Sequence, residues 1–193
     1  MSILGRQRMD KTLSEMAAAE TRRVPSTMED ASRELGVRDG EIGTALVGLK
    51  LYVASSWRCP NQPRVVELLR EAGHEVYDFR HPAPGNTGFH WSEIDPEWRH
   101  WTPDEMVMGL QHPIAGDGFG LDWEAMQDAD GCVLVLPCGR SSHLEAGYFV
   151  GAGKPLWIIV TEGEPELMYR MASAVCTSCG EVIEEIEAWR QGA

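Results

Sequence analysis

From Lys50 onward the chain repeats one unit, a short run of apolar residues followed by a polar turn and then an apolar–polar alternation of helical period. Residues 51–54, 74–77, 132–136, 156–160 and 175–177 are predicted strands, because each is short, largely apolar and bounded by turn-forming residues. Between them, 64–72 is a predicted amphipathic helix stopped by Gly73, and 122–128, 165–172 and 181–190 are further predicted helices, with one more carrying Glu145. Apolar strands alternating with helices predict an α/β fold, a parallel sheet of about five strands covered on both faces.

Two segments break the alternation. Residues 78–121 are rich in Pro, Gly and large aromatics and hold one predicted helix, 103–110, with Thr102 placed to cap it. The run from His90 to Trp101 could supply flat rings to stack on a ligand or cover a pocket, although packing of Trp91, Trp98 and Trp101 onto the body is the plainer expectation for at least two of them. Residues 1–48 form the other departure, an N-terminal extension of weakly helical or partly disordered character in which Ser26 and Glu29 have capping-box spacing. Residues 49–193 make the main domain.

Composition narrows the function classes. A chain of 193 residues with 43% apolar content suits one domain and an appendage. The formal net charge of −13 argues against a partner of polymeric nucleic acid, whose phosphates are gripped by clustered Lys and Arg. No run approaches the roughly 18 apolar residues of a membrane span, so no membrane partner is expected, and a cytoplasmic location is. Five cysteines, some inside predicted strands, point to reduced thiols, and Cys176-Thr-Ser-Cys179 is half of a zinc site without its second half. No metal is expected there.

The chemistry gathers at predicted strand ends. Tyr52, followed by Ser55, Ser56, Trp57 and Arg58, lies in and after the first strand; Asp122 precedes the third; and Gly139, Arg140, Ser141, Ser142 and His143 lead into the helix of Glu145. In an open α/β sheet, ligands bind beyond the carboxyl ends of the strands. An aromatic hydroxyl with two carboxylates there is a workable set for breaking a glycosidic bond. The same residues have structural uses, since Glu145, placed in a first helical turn, would be favoured by the helix dipole, and Asp122 could be an N-cap. His143, two residues before Glu145, is the one histidine placed to matter as an acid or base.

Four blocks resemble the nucleoside 2-deoxyribosyltransferase-like family over roughly residues 50–190: Leu51-Tyr-Val-Ala-Ser-Ser-Trp57; Asp122 with Asp130; Leu144-Glu-Ala-Gly-Tyr148 with Gly153-Lys-Pro155; and Glu166-Leu-Met168. The resemblance implies a Rossmann-like (flavodoxin-like) three-layer fold and cleavage of the N-glycosidic bond of a nucleoside or nucleoside 5′-monophosphate. It implies Glu145 as the nucleophile that forms a glycosyl ester, Tyr52 as its orienting partner, and Asp122 as the group that meets the base. It also implies a homodimer or higher homo-oligomer, with Met168 near the contact, and no cofactor. Asp130 matches the pattern but sits at the strand start, so it is expected to be structural.

Where the family's transferases hold the sugar 5′-hydroxyl with an acidic residue, this chain has Gly139-Arg140-Ser141-Ser142, donors better matched to a phosphate. That favours a hydrolase of monophosphates slightly over a transferase. Two alternatives stand beside it: a TIR-like NAD glycohydrolase, and a nucleotide-sensing module that binds without cleaving.

Overall fold

The computed structural model describes residues 48–192, and the readings made above for the N-terminal extension lie outside the described residues. Five parallel strands, β1 (Lys50–Ala54), β2 (Glu75–Tyr77), β3 (Gly131–Val135), β4 (Leu156–Ile159) and β5 (Ala174–Cys176), lie in the order β2-β1-β3-β4-β5. This is the flavodoxin-like order, in which the chain steps outward in both directions from β1 and β3.

Alternate residues of the strands face opposite helix layers, as the pleat requires. Leu51, Val53, Val133, Val135, Trp157 and Ile159 pack under α1 (Gln62–Glu71) and α5 (Cys179–Gly192), whose Val65, Val66, Leu69, Val182 and Ile186 are buried against them. Tyr52, Ala54, Cys132, Leu134, Leu156 and Ile158 face the other way, toward α3 (Pro113–Asp128) and α4 (Arg140–Gly151). Helix α2 (Pro103–Leu110) belongs to the insert between β2 and α3. Thr102 caps it as expected, accepting from the Glu105 amide at 3.3 Å while Glu105 accepts from the Thr102 amide at 2.7 Å.

Two predicted elements differ from the structure. The helix expected at 122–128 begins at Pro113, so Asp122 lies well inside α3 and is not an N-cap. Gly116, Gly118 and Gly120 lower the intrinsic helix preference of that stretch and hide it. Pro113 in the first turn, the His112 ring accepting from the Ile114 amide at 3.3 Å, and packing against the insert restore it. Gly118 has a packing reason, because a Cβ there would stand 2.8 Å from the Phe89 Cβ. The helix expected at 165–172 is a short 3-10 helix, Leu167–Met171.

The aromatic insert packs mainly on itself and on α2. Trp101 donates to Asp95 Oδ2 at 2.6 Å, meets the edge of Trp91 at 5.7 Å, and lies where a Gly109 side chain would be. Asp130, expected to be structural, accepts from the Lys50 amide at 2.8 Å at the start of β1.

The Gly153-Lys-Pro155 block also has a structural use. Gly153 turns the chain at φ 72°, and Lys154 then points its ammonium at the open end of α3, donating to the carbonyls of Met126 (3.2 Å), Gln127 (2.7 Å) and Ala129 (2.6 Å). Lys154→Met should lower the unfolding free energy by about 1–3 kcal/mol with the denaturant slope unchanged, read from urea titrations. No change in the midpoint would show that water replaces the ammonium at no cost.

Candidate functional site

The connection leaving β1 runs through α1 on one face, and that leaving β3 runs through α4 on the other. Their loops therefore part beyond the carboxyl ends of β1 and β3, and the crevice opens there.

Tyr52 is buried on β1 beside Tyr77, its register partner on β2; the rings stack at 5.3 Å and 15°. On its other side Phe149 of α4 lies at 5.8 Å. The Tyr52 hydroxyl lies near Glu145, and the Tyr77 hydroxyl donates to Asp122 Oδ1 at 2.8 Å. Helices α3 and α4 thus each bring one carboxylate to a pair of stacked tyrosines. Glu145 lies five residues beyond Arg140, in the second turn of α4 and not the first, so the dipole explanation for a glutamate there falls away.

The electrostatics follow from crowding. Burial, then the negative charge of Asp122, pushes the Glu145 carboxyl up to about 7, against the opposing pull of the Tyr52 hydroxyl. Burial raises Asp122 as well, and the Tyr77 hydroxyl tempers the rise. Both phenols are held far above their usual range, by burial first and the neighbouring carboxylates second, so they remain donors. The Cys138 thiol is pushed up to about 11 by burial and then by Glu145, and carries no thiolate at neutral pH.

The loop after β1 is held from three sides. The Ser55 hydroxyl donates to the Val135 carbonyl at 2.9 Å, and the Ser142 hydroxyl donates to the Ser55 carbonyl at 2.6 Å. These two buried serines join β1, β3 and the start of α4. Arg80 Nη2 donates to the carbonyls of Ser56 (3.0 Å), Trp57 (3.1 Å) and Cys59 (2.9 Å), with its guanidinium 5.6 Å over the Trp57 ring. Asp78 anchors this corner. Burial alone would raise its carboxyl, but bonds from His81, Gln62 and the Arg80 amide together hold it below the usual value. Trp57 is 41% exposed, in tilted contact with His90 at 4.2 Å, and Arg58 is exposed.

Tyr77 and Arg80 were not among the residues singled out from sequence. Tyr77 carried a signal, a tyrosine at the end of the strand adjoining that of Tyr52. Arg80 carried none, because its role is to hold backbone carbonyls distant in sequence.

The remaining expected residues lie elsewhere. Gly139 caps α4 without any side-chain acceptor, and Arg140 and Ser141 are exposed in its first turn. His143 projects away from Glu145, as residues two apart on a helix do. Its Nδ1 is 2.8 Å from the Gly139 carbonyl and its Nε2 3.1 Å from the Tyr169 hydroxyl, with the rings stacked at 6.0 Å. A carbonyl only accepts, so Nδ1 carries the proton and Nε2 accepts from Tyr169. His143 and Met168 line an apolar groove of about 820 Å³ between α4 and the Leu167–Met171 turn, and Arg140 stands at its rim. A smaller cavity of about 160 Å³ opens instead beside Tyr77 and Asp122. Among the described residues no three His, Cys, Asp or Glu side chains gather to hold a metal ion, and Cys176 and Cys179 are free thiols.

The raised Glu145 carboxyl has a stability consequence. Between the ordinary value of 4.5 and about 7 the folded chain binds more protons at this site than the unfolded one, so stability falls as pH rises through that window. Glu145→Gln should therefore stabilise the fold above about pH 7.5, by ~1–3 kcal/mol, and match the parent near pH 4.5. Thermal denaturation at both pH values reads this; equal melting temperatures at the higher pH would place Glu145 in water.

No protein-family model matches the chain, and no curated protein does. Among solved structures, the chain is similar to a 2-deoxyribosyltransferase from the psychrotolerant bacterium Bacillus psychrosaccharolyticus, with 22% identity and a TM-score of 0.45 over 69% of this chain and 90% of that one. It is also similar to a Clostridium botulinum CMP N-glycosidase, with 15% identity and a TM-score of 0.38 over 72% of this chain and 98% of that one.

Proposed function

We propose that this chain is a member of the nucleoside 2-deoxyribosyltransferase-like family and cleaves the N-glycosidic bond of a nucleoside or nucleoside 5′-monophosphate. The observation that carries the reading is the pair of carboxylates, Glu145 and Asp122, gathered beside Tyr52 and the Tyr77–Asp122 hydrogen bond at the crevice where the sheet's connections part. The sequence blocks around Tyr52, Asp122 and Glu145 support it.

In the first step a Glu145 carboxylate oxygen attacks C1′, and the bond from C1′ to the base nitrogen breaks with its electron pair going to the base. In the productive form of the pair its one proton sits on Asp122 while Glu145 is the carboxylate, and Asp122 gives that proton to the departing base. The sugar is then held as a glycosyl ester. In the second step water attacks C1′, passes its proton to the Asp122 carboxylate, and the ester bond breaks to return Glu145 as carboxylate. A second base in place of water would make the reaction a transfer. Tyr52 fixes the attacking oxygen and weakens as a donor to it once the ester forms, which favours release of the carboxylate in the second step.

Hydrolysis of monophosphates is the favoured form. The first turn of α4 offers uncapped amides and the Arg140 guanidinium, and a phosphate satisfies both.

The test is a panel of deoxynucleosides, ribonucleosides, their 5′-monophosphates and NAD, assayed for free base, with and without a second base present. Free base is expected from nucleosides or monophosphates and not from NAD. Glu145→Ala should fall to background, and Asp122→Ala should lose about 10²–10⁴-fold in kcat. Retained activity in Glu145→Ala would overturn the mechanism. The pH profile of kcat/KM should be bell-shaped, rising as the carboxylate pair loses its first proton below neutral pH and falling as the last proton leaves it near 7.

Arg140→Met should raise KM for monophosphates roughly tenfold and leave nucleosides unchanged. Equal KM values for the two substrate classes in the parent enzyme would remove the phosphate from the reading.

A further inference from the structure

We infer that the small cavity beside Asp122 selects a nucleobase bearing an exocyclic amino group over its oxo counterpart, an inference that rests on the N-glycosidic reading above. The cavity holds about 160 Å³, well under the ~300–1,000 Å³ of sites that enclose a whole drug-sized ligand, so it has room for a flat heterocycle and not for a nucleoside. Its inner end is Tyr77 and Asp122, the pair next to Glu145. Its walls are half polar and half apolar, with Phe79, Phe89 and Ile114 among the apolar part, and Phe89 is seated against α3 because Gly118 has no side chain.

Most polar side chains in the lining are carboxylates. Asp122 accepts the Tyr77 hydroxyl through Oδ1, leaving Oδ2 to face the ligand. Glu93 accepts the His90 amide through Oε1 at 2.8 Å, leaving Oε2, and Asp117 is exposed at the edge. Asn86 supplies the one amide group: its Oδ1 accepts from the Gly88 amide at 2.9 Å, which turns its NH₂ outward as a donor. No Lys, Arg or His lines the cavity.

Three carboxylates without a cation repel a phosphate or a carbonyl edge and welcome N–H donors. A base with an amino group gives those carboxylates a hydrogen bond and can present a ring acceptor to Asn86, whereas an oxo group in the same position sets lone pair against lone pair and leaves the carboxylates unpaired. Sites built to bond a ligand donor reject the analogue that lacks it far more strongly than apolar pockets reject a missing methyl. Asp122 serves the leaving ring nitrogen in the mechanism, so Asp117 and Glu93 are the readers of the amino group.

Matched pairs isolate the effect: deoxycytidine against deoxyuridine, and deoxyadenosine against deoxyinosine, each also as the 5′-monophosphate. The amino member of at least one pair should have a kcat/KM about tenfold or more above its oxo partner. Asp117→Asn and Glu93→Gln should each shrink that ratio several-fold, mainly by lowering the amino value. Calorimetric titration of free cytosine, uracil, adenine and hypoxanthine into Glu145→Ala protein reads recognition without turnover, and the same order is expected there.

Equal values within both pairs, or an oxo preference, would overturn the inference while base release by the parent keeps the glycosidase reading intact. Base release from no member, with amino bases still bound preferentially, would keep the cavity's selectivity and overturn the glycosidase reading. Ratios unmoved by both substitutions would overturn the assignment to Asp117 and Glu93.

Discussion

Two carboxyl groups, Glu145 and Asp122, are held close enough in a partly dry crevice for one charge to raise the other, and most of the neighbouring structure serves to keep them there. Left alone, such a pair would swing toward water or take up a shared proton. The stacked tyrosines prevent the first outcome and moderate the second. Each phenol is too far raised to ionise and so keeps its proton; Tyr77 donates it to Asp122, and Tyr52 stands near Glu145. The two acids thus have different neighbours although they stand together, which is what the proposed division into an attacking carboxylate and a proton donor requires.

The scaffold answers this demand with hydrogen bonds to backbone carbonyls. Ser55, Ser142 and Arg80 lock the loop beyond β1 to β3 and α4, and Lys154 closes the end of the helix that carries Asp122. None of these side chains need touch a ligand. Their effect is geometric: tyrosines on two strands and carboxylates on two helices keep their relation only if the strand ends and helix ends cannot slide. The block Gly153-Lys-Pro155, which looks functional in sequence, therefore acts through α3.

How much of this could be read in the chain depends on the range of the interaction. Strand periodicity is local, and it placed all five strands to within a residue or two, along with the order of strands and helices. Thr102 was legible as a cap because a capping box spans three residues. Helix α3 was not, since its glycines contradict its conformation and only contacts such as Phe89 against Gly118 explain it. Tyr52, Asp122 and Glu145 were legible as a set through their positions near strand ends and the family pattern. The separation of His143 and Met168 from that set was not legible, because the sequence shows that 143 and 145 are near neighbours and does not show which neighbour faces the sheet's other side. Arg80 is the extreme case: three carbonyls more than 20 residues away give an arginine no local mark.

The charge layout gives the crevice a direction. Acceptors from Asp122, Glu93 and Asp117 gather beside α3, while the uncapped amides stand at the first turn of α4, the helix that carries Glu145, with Arg140 at the rim of the neighbouring groove. A ligand with N–H donors at one end and an anion at the other fits one way round only. A nucleoside monophosphate, the substrate proposed above, has that polarity, and on that proposal the sugar would lie between the two ends. The chain's net charge of −13 repels such an anion at long range, yet screening confines that repulsion to about 8–10 Å at physiological salt, and the local donors act inside it. Orientation is thus set by short-range complementarity, and the excess of negative charge adds to it by making any reversed pose, with phosphate among the carboxylates, the costlier one.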